Sequence, residues 1–192
     1  MAIKYLNDHP WSDWTRDERF FCAILFEHGR QDPAGFTRWV NDTASLGLPV
    51  DGDWDLGYEV CFYRDFLWQK GRSAREEGYP AKRTFDLCAF GEQAIIIIEA
   101  KVCEAFKSDQ NLEFGADNKK VRELIDREGF EVKTIALASS RYFDNFDKYG
   151  DQDAPNVFDG RLTWSQAHEK YSDPLLAQAD KMYKLAPGSL IR

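Results

Sequence analysis

The chain has 192 residues, 43% of them hydrophobic and 30% charged, which suits one well-filled core and is too short for two independent ones of ordinary size. Its 25 Lys and Arg against 33 Asp and Glu leave a net charge of −8, which argues against a duplex-coating, histone-like protein, because non-specific affinity for nucleic acid comes from basic groups that neutralise phosphates. The 15% aromatic content argues against disorder, since an unfolded chain would leave that apolar area in water.

The four cysteines, Cys22, Cys61, Cys88 and Cys103, form no CxxC pair and each falls in an apolar stretch. They read as buried free thiols, and a reducing, cytoplasmic location is expected. The most apolar run, AIIII at 94–98, is five residues long, and no basic stretch with a following apolar run opens the chain, so neither secretion nor membrane crossing is signalled.

In chain order, 15–28 is expected as a helix, with Thr15 or Asp17 as cap and Phe20, Phe21, Ile24 and Leu25 at helical spacing, stopped near Gly29. Asp32-Pro33 opens a second helix through Phe36, Trp39 and Val40. The spacing of Tyr58, Phe62, Phe66 and Leu67 predicts a third over about 54–70, so that residues 1–80 read as mainly helical. KRTFDLCAF at 82–90 alternates as a strand would, with Phe85, Leu87 and Ala89 on one side and Thr84, Asp86 and Cys88 on the other. Gly91-Glu92 turns into a second strand over Ala94–Val102, whose isoleucines suggest burial on both faces. A helix over 117–128 and a strand over 131–139 suggest a crossover, completing a catalytic sheet unit over 81–140. The remainder, 141–192, is a C-terminal extension, with a short helix at 141–149, a polar loop at 150–160 and a helix at 173–184. One α/β domain over 1–192 is expected, a small mixed β-sheet flanked by helices with a helical N-terminal portion, since the helices need an apolar partner and the sheet needs cover.

The chemistry is concentrated in Asp86 on the first of these strands and Glu99-Ala100-Lys101, thirteen residues on, at the end of the second. Alternation puts Glu99 and Lys101 on one face, and a hairpin can bring Asp86 across from them. Two carboxylates so placed, with the Ala100 carbonyl, make an oxygen-rich site for a hard divalent cation. Acids seldom interrupt a strand as apolar as AIIIIEAKV, because burying an unpaired charge costs several kcal/mol.

This arrangement resembles the PD-(D/E)xK, or restriction-endonuclease-like, nuclease superfamily, in which an Asp on one strand precedes an ExK or DxK triplet on the next. Asp86 matches the first acid, Glu99 the second and Lys101 the lysine, while Thr84-Phe85-Asp86 lacks the proline of the motif. The resemblance covers roughly 80–140. It implies a restriction-endonuclease-like core, hydrolysis of phosphodiester bonds in DNA, and Mg²⁺, or Mn²⁺ in its place, held by Asp86, Glu99 and the Ala100 carbonyl, with Lys101 acting on the attacking water. The family often adds an acid from a preceding helix. At 100° per residue, Glu27 lies about 180° from Glu18, and Phe21, Cys22 and Leu25 lie within about 60° of Glu18, so Glu18 is the choice. Its other reading is a first-turn carboxylate at a helix N-terminus.

Residues 64–83 carry six basic side chains against three acids, a net +3 where the rest of the chain sums to −11. Arg83 and Lys82 are candidates for holding a substrate phosphate, and Arg72 and Arg75 for extending the backbone contact. Lys119, Lys120 and Gln110 are further candidates, each with a surface role as the alternative, and Trp164 is ambiguous. The partner expected is DNA, and two opposed strands make a homodimer attractive. Two other readings stand beside the nuclease: a non-catalytic nucleic-acid- or protein-binding component on the same fold, and an unrelated soluble scaffold.

Overall fold

The isoleucine run sits at the centre of a five-stranded sheet. In the computed structural model, which describes residues 6, 8–106, 108–149 and 157–186, and for 108–112 and 146–149 the backbone, β3 (Ala94–Ala100) is buried at every position. It lies between β2 (Phe85–Gly91), antiparallel to it, and β4 (Glu131–Ala138), parallel to it. Edge strands β1 (Trp54–Val60) and β5 (Gly160–Thr163) complete a mixed sheet in the order β1-β2-β3-β4-β5. A strand covered on both faces has no need of polar alternation, which is why five consecutive apolar residues suit it.

One face is covered by α1 (Glu18–Gly29), α2 (Pro33–Ala44), α6 (Trp164–Tyr171) and α7 (Pro174–Lys181), whose Phe21, Leu25, Phe36, Val40, Trp164 and Leu176 meet Leu87, Ile96, Ile98, Ile135 and Leu137. Across the sheet, α3 (Phe62–Gln69) and α4 (Ser108–Ile125) bring Phe62, Tyr63, Leu67, Val121 and Leu124 against Phe85, Cys88, Ile95, Ile97 and Val132. A third cluster, around Phe106, Phe114 and Tyr142, closes the end of the sheet beside α5 (Ser140–Tyr149). Asp17 and Asp32 cap α1 and α2 by accepting from Arg19 N and Gly35 N. Gly29 ends α1 for a packing reason: a Cβ there would stand 2.7 Å from Leu56 Cδ2 on β1 and 2.8 Å from Phe36.

Four expectations are corrected. Residues 54–60 form an edge strand rather than the start of a third helix, so the N-terminal portion is not purely helical. Trp54, Leu56, Tyr58 and Val60 alternate with Asp55, Gly57 and Glu59; a spacing of four satisfies period 2 as well as period 3.6, and the edge of β2 was there to be paired. Phe85 does not share the face of Leu87 and Ala89; it joins Cys88 in the opposite core, edge-on to Tyr63. The helix expected over 117–128 starts at Ser108, running through Gly115, and ends at Ile125. The helix expected over 173–184 is α7, capped by Asp173 as the Asp-Pro pair suggests, but it stops at Lys181 and is preceded by β5 and α6, the latter opened by a Thr163–Gln166 capping box. Most of the polar loop expected at 150–160 lies outside the described residues. All four cysteines are free thiols, Cys22 and Cys88 buried, Cys61 and Cys103 half-buried. Among the described residues, no helix is long and apolar enough to cross a membrane.

Candidate active site

Where β2 and β3 part, four carboxylates and two cations come together. The backbone ladder between these strands ends at Leu87–Ile98. Beyond it the Asp86 side chain takes over: its Oδ2 accepts the Ala100 backbone N–H at 2.8 Å. Two residues C-terminal of Ile97, alternation puts Glu99 on the α3/α4 face, where it is 4% exposed and its Oε1 accepts from Arg83 Nη2 at 2.7 Å. The same guanidinium donates through Nε to Asp117 Oδ2 at 3.0 Å, and Asp117 Oδ1 accepts from the Tyr63 hydroxyl at 2.6 Å. The Arg83 group lies over the Phe114 ring, 4.7 Å from its centroid. A chain of charge thus runs Tyr63–Asp117–Arg83–Glu99, tying α3 and α4 to β3.

Lys101 follows the end of β3 and still joins the ladder, its N–H donating to Leu137 O at 2.8 Å. Its Nζ donates to both Glu18 oxygens, at 3.1 and 3.2 Å, and to the Ala100 carbonyl at 2.8 Å. Its own carbonyl accepts from Trp164 Nε1 at 2.9 Å. Glu18 therefore faces inward from the first turn of α1, whereas Glu27 is exposed and pairs with Arg30. A pocket of about 420 Å³ lined by Arg16, Glu18, Lys101, Cys103 and Glu104 opens on this pair.

The electrostatics follow from a shortage of cations in a buried place. Glu18, Asp86, Glu99 and Asp117 face Lys101 and Arg83, a formal surplus of two negative charges. Burial raises Glu18 from 4.5 to about 7, more than the adjacent Lys101 ammonium lowers it, and the Asp86 charge raises it further. Burial likewise raises Asp86, against the Ala100 N–H that favours its carboxylate. Glu99 is pushed well up by burial and then by Asp86, with Arg83 opposing. For Lys101 burial works toward the neutral amine, but Glu18 and Asp86 outweigh it and the ammonium is held above its usual range.

Asp86, Glu99, Lys101 and Glu18 gather at one end of the β2–β3 pair, and Ala100 contributes its N–H to Asp86 and its carbonyl to Lys101. Among the described residues, no three His, Cys, Asp or Glu side chains stand grouped as a metal cage; the carboxylates of Glu18, Asp86 and Glu99 each hold a different donor. Arg83 engages two of the cluster's acids and also lines a groove of about 740 Å³ with Lys82, Arg75 and Arg19. Arg72 pairs with Glu77 at the surface, while Arg75 and Lys82 are exposed and form no ion pair among the described residues. Lys119 pairs with Glu123 one turn along the exposed face of α4. The side chain of Gln110 lies outside the described residues. His28 takes a helix-end role, 2.8 Å from Asp173 Oδ2 at the cap of α7.

Four further participants are not assigned to the site from sequence. Tyr63 and Asp117 come from helices on the far side of the sheet, and Trp164, ambiguous from sequence, comes from the start of α6. Glu59 lies on β1 between Tyr58, paired with Leu87, and Val60, paired with Phe85, at φ +52°, with its carboxylate 3.3 Å from Arg19 Nε. Its pKa is raised by partial burial, with Asp86 adding to the effect. The one usable signal was Asp117, an acid one helical turn before Val121 on the apolar stripe of α4.

No protein-family model matches the chain, and no curated protein matches it.

Proposed function

We propose that the chain is a metal-dependent nuclease that hydrolyses phosphodiester bonds in DNA, on a restriction-endonuclease-like core. The observation that carries this reading is the convergence of Glu18, Asp86, Glu99 and Lys101 from α1, β2 and the end of β3, with two more acids than bases buried around them. The antiparallel β2–β3 pair that carries Asp86 and Glu99, followed by α4 and a strand parallel to β3, supports the same core.

The donor set suits a hard divalent cation: all its members are oxygens, the acids outnumber the bases by two, and burial has raised the carboxylates, so a cation would relieve what solvent does not. Asp86 and Glu99 would hold Mg²⁺ or Mn²⁺, with Glu18 and the Ala100 carbonyl beside them. Once bound, the ion would offset charge developing on the phosphate oxygens and make an attacking water more acidic.

The protein's own groups divide the remaining work. Lys101, held as an ammonium, orients the attacking water and offsets negative charge in the transition state; with its pKa above the usual range it is not the group that removes the proton. Glu18, whose two oxygens face the Lys101 ammonium, is placed to accept that proton at Oε1 or Oε2. Arg83 holds Glu99 in place and links it to the Asp117–Tyr63 pair.

The test is hydrolysis of supercoiled plasmid, linear duplex, single-stranded DNA and RNA with and without Mg²⁺ or Mn²⁺. Cleavage should require the ion and fall at least about a hundredfold in D86A and in K101A, the order of effect of losing one electrostatic or acid–base contributor. Absence of cleavage on all of these substrates, with no ion-dependent change in melting temperature, would falsify the reading.

A further inference from the structure

We infer that the basic segment between α3 and β2 is a track for unpaired nucleotides, with Trp68 as its stacking platform, leading to the carboxylate cluster at Arg83. The inference rests on the nuclease reading for what lies at the end of the track, and stands on separate observations for the track itself. Trp68, on the last turn of α3, is 81% exposed, the most exposed large hydrophobic residue among those described. Helix packing does not require it there: the buried residues of α3 are Phe62, Tyr63 and Leu67. An indole left in water is a cost that a partner with a flat apolar face removes.

Trp68 lines a cavity of about 510 Å³ together with Arg64, Arg72 and Arg75. That cavity shares Arg75 and Ala81 with the 740 Å³ groove, which continues through Lys82 to Arg83. Aromatic face, cations and carboxylate cluster are therefore contiguous along one surface. Arg75 and Lys82 are exposed and without ion pairs among the described residues, so their charge is available, whereas Arg64 and Arg72 are balanced by Asp65 and Glu77. A phosphate backbone supplies the complementary charge for the first two, and a base supplies the π face for Trp68. In duplex DNA the base faces are already stacked on one another; only an unpaired or flipped-out nucleotide offers one to a side chain.

The experiment is fluorescence anisotropy on the full chain in EDTA, where no metal-dependent hydrolysis can intervene, with a labelled oligothymidylate, a duplex of equal length and an RNA oligonucleotide. The single strand should bind at least about tenfold more tightly than the duplex, the duplex having no free base face for the indole. W68A, whose exposed position leaves the fold intact, should weaken single-strand binding between about fivefold and a hundredfold, the range of one base–aromatic stack. R75Q/K82Q should flatten the dependence of log K on log salt by about 0.7 for each phosphate that is no longer neutralised. Comparable binding of the RNA supports the same reading, since the indole meets the base and not the sugar. Equal affinity for duplex and single strand, or a W68A variant that binds like the parent, overturns it. Because these are binding measurements without metal, a chain that cleaves duplex with Mg²⁺ but fails them loses the track and keeps the nuclease. A chain that passes them but never cleaves loses the nuclease and keeps the track.

Discussion

Arg83 is the most demanding point of the structure. Replacing it with Met keeps an apolar stem over Phe114 and removes the cation that bridges Glu99 and Asp117, whose side chains are 6% and 4% exposed. A unit-charge pair about 4 Å apart at an effective dielectric of about 20 is worth about 4 kcal/mol, and Arg83 makes two such pairs. Part of that is returned, because Arg83 is itself desolvated in the native chain and the abandoned acids can protonate. The net cost of R83M at pH 8 should therefore be about 3–5 kcal/mol, the range for stranding buried charge. The penalty should shrink at pH 5.5. Glu99 and Asp117 both have raised folded-state pKa values, so the native state holds protons that the unfolded chain releases, and stability falls as pH rises through that window. Without Arg83 the window extends upward. Urea unfolding at the two pH values, for R83M, E99Q and the double variant, measures this directly. R83M/E99Q should be more stable than the sum of the single losses implies, by at least about 1 kcal/mol, since E99Q removes one of the stranded charges. A cost below about 1 kcal/mol at pH 8, or strict additivity, refutes the account of Arg83 as the counter-ion of the cluster.

Glu18 gives a second pH signature. With 4.5 as its ordinary value and about 7 in the fold, its ionisation should remove about 3 kcal/mol of stability as pH rises from about 4.5 through 7, and none further above that. E18Q lacks this loss, so the difference in stability between pH 5 and pH 8 should be smaller by about 2–3 kcal/mol in the variant; parallel pH profiles refute it. Millimolar Mg²⁺ should raise the melting temperature of the parent by several degrees, more at pH 8 than at pH 6 because protons compete for the same oxygens, and D86N should abolish the shift. Differential scanning fluorimetry decides this, and an unchanged shift in D86N counts against Asp86 as a ligand. W164F should lose the bond to the Lys101 carbonyl and leave part of the indole's buried volume empty, at a cost of about 2–3 kcal/mol, and should lower kcat on any cleaved substrate more than it changes KM. An effect on stability alone makes Trp164 a core residue and nothing more.

Much of the site is legible in the sequence because its carriers are local. The 100° arithmetic that turns Glu18 inward and Glu27 outward depends on backbone geometry that any helix obeys. The buried central strand is legible for the same reason, since five apolar residues in succession fit nothing better. The alternation expected to put Glu99 and Lys101 on one face stops with β3 at Ala100: Glu99 meets Arg83 on the α3/α4 face, whereas Lys101, past the strand end, meets Glu18 of α1. Trp54–Val60 reads as helix from its spacing because an interval of four does not distinguish the two periods, and what decides it is the open edge of β2, a tertiary fact. The four-residue β5 and the helix after it carry too little pattern to be seen alone.

What the amino-acid sequence determined by itself was therefore the α/β class, the buried centre of the sheet, the charge reversal over 64–83, and the acids and lysine that could meet. What only the tertiary structure decided was their pairing. Arg83, a phosphate-ligand candidate by sequence, sits between Glu99 and Asp117. Lys101 is an ammonium held by Glu18 and the Ala100 carbonyl. The surplus of two negative charges emerges only when helices and strands from distant parts of the chain are closed around them. Periodicity is a property of one element at a time, whereas desolvation and the balance of charge belong to the enclosure that several elements make together.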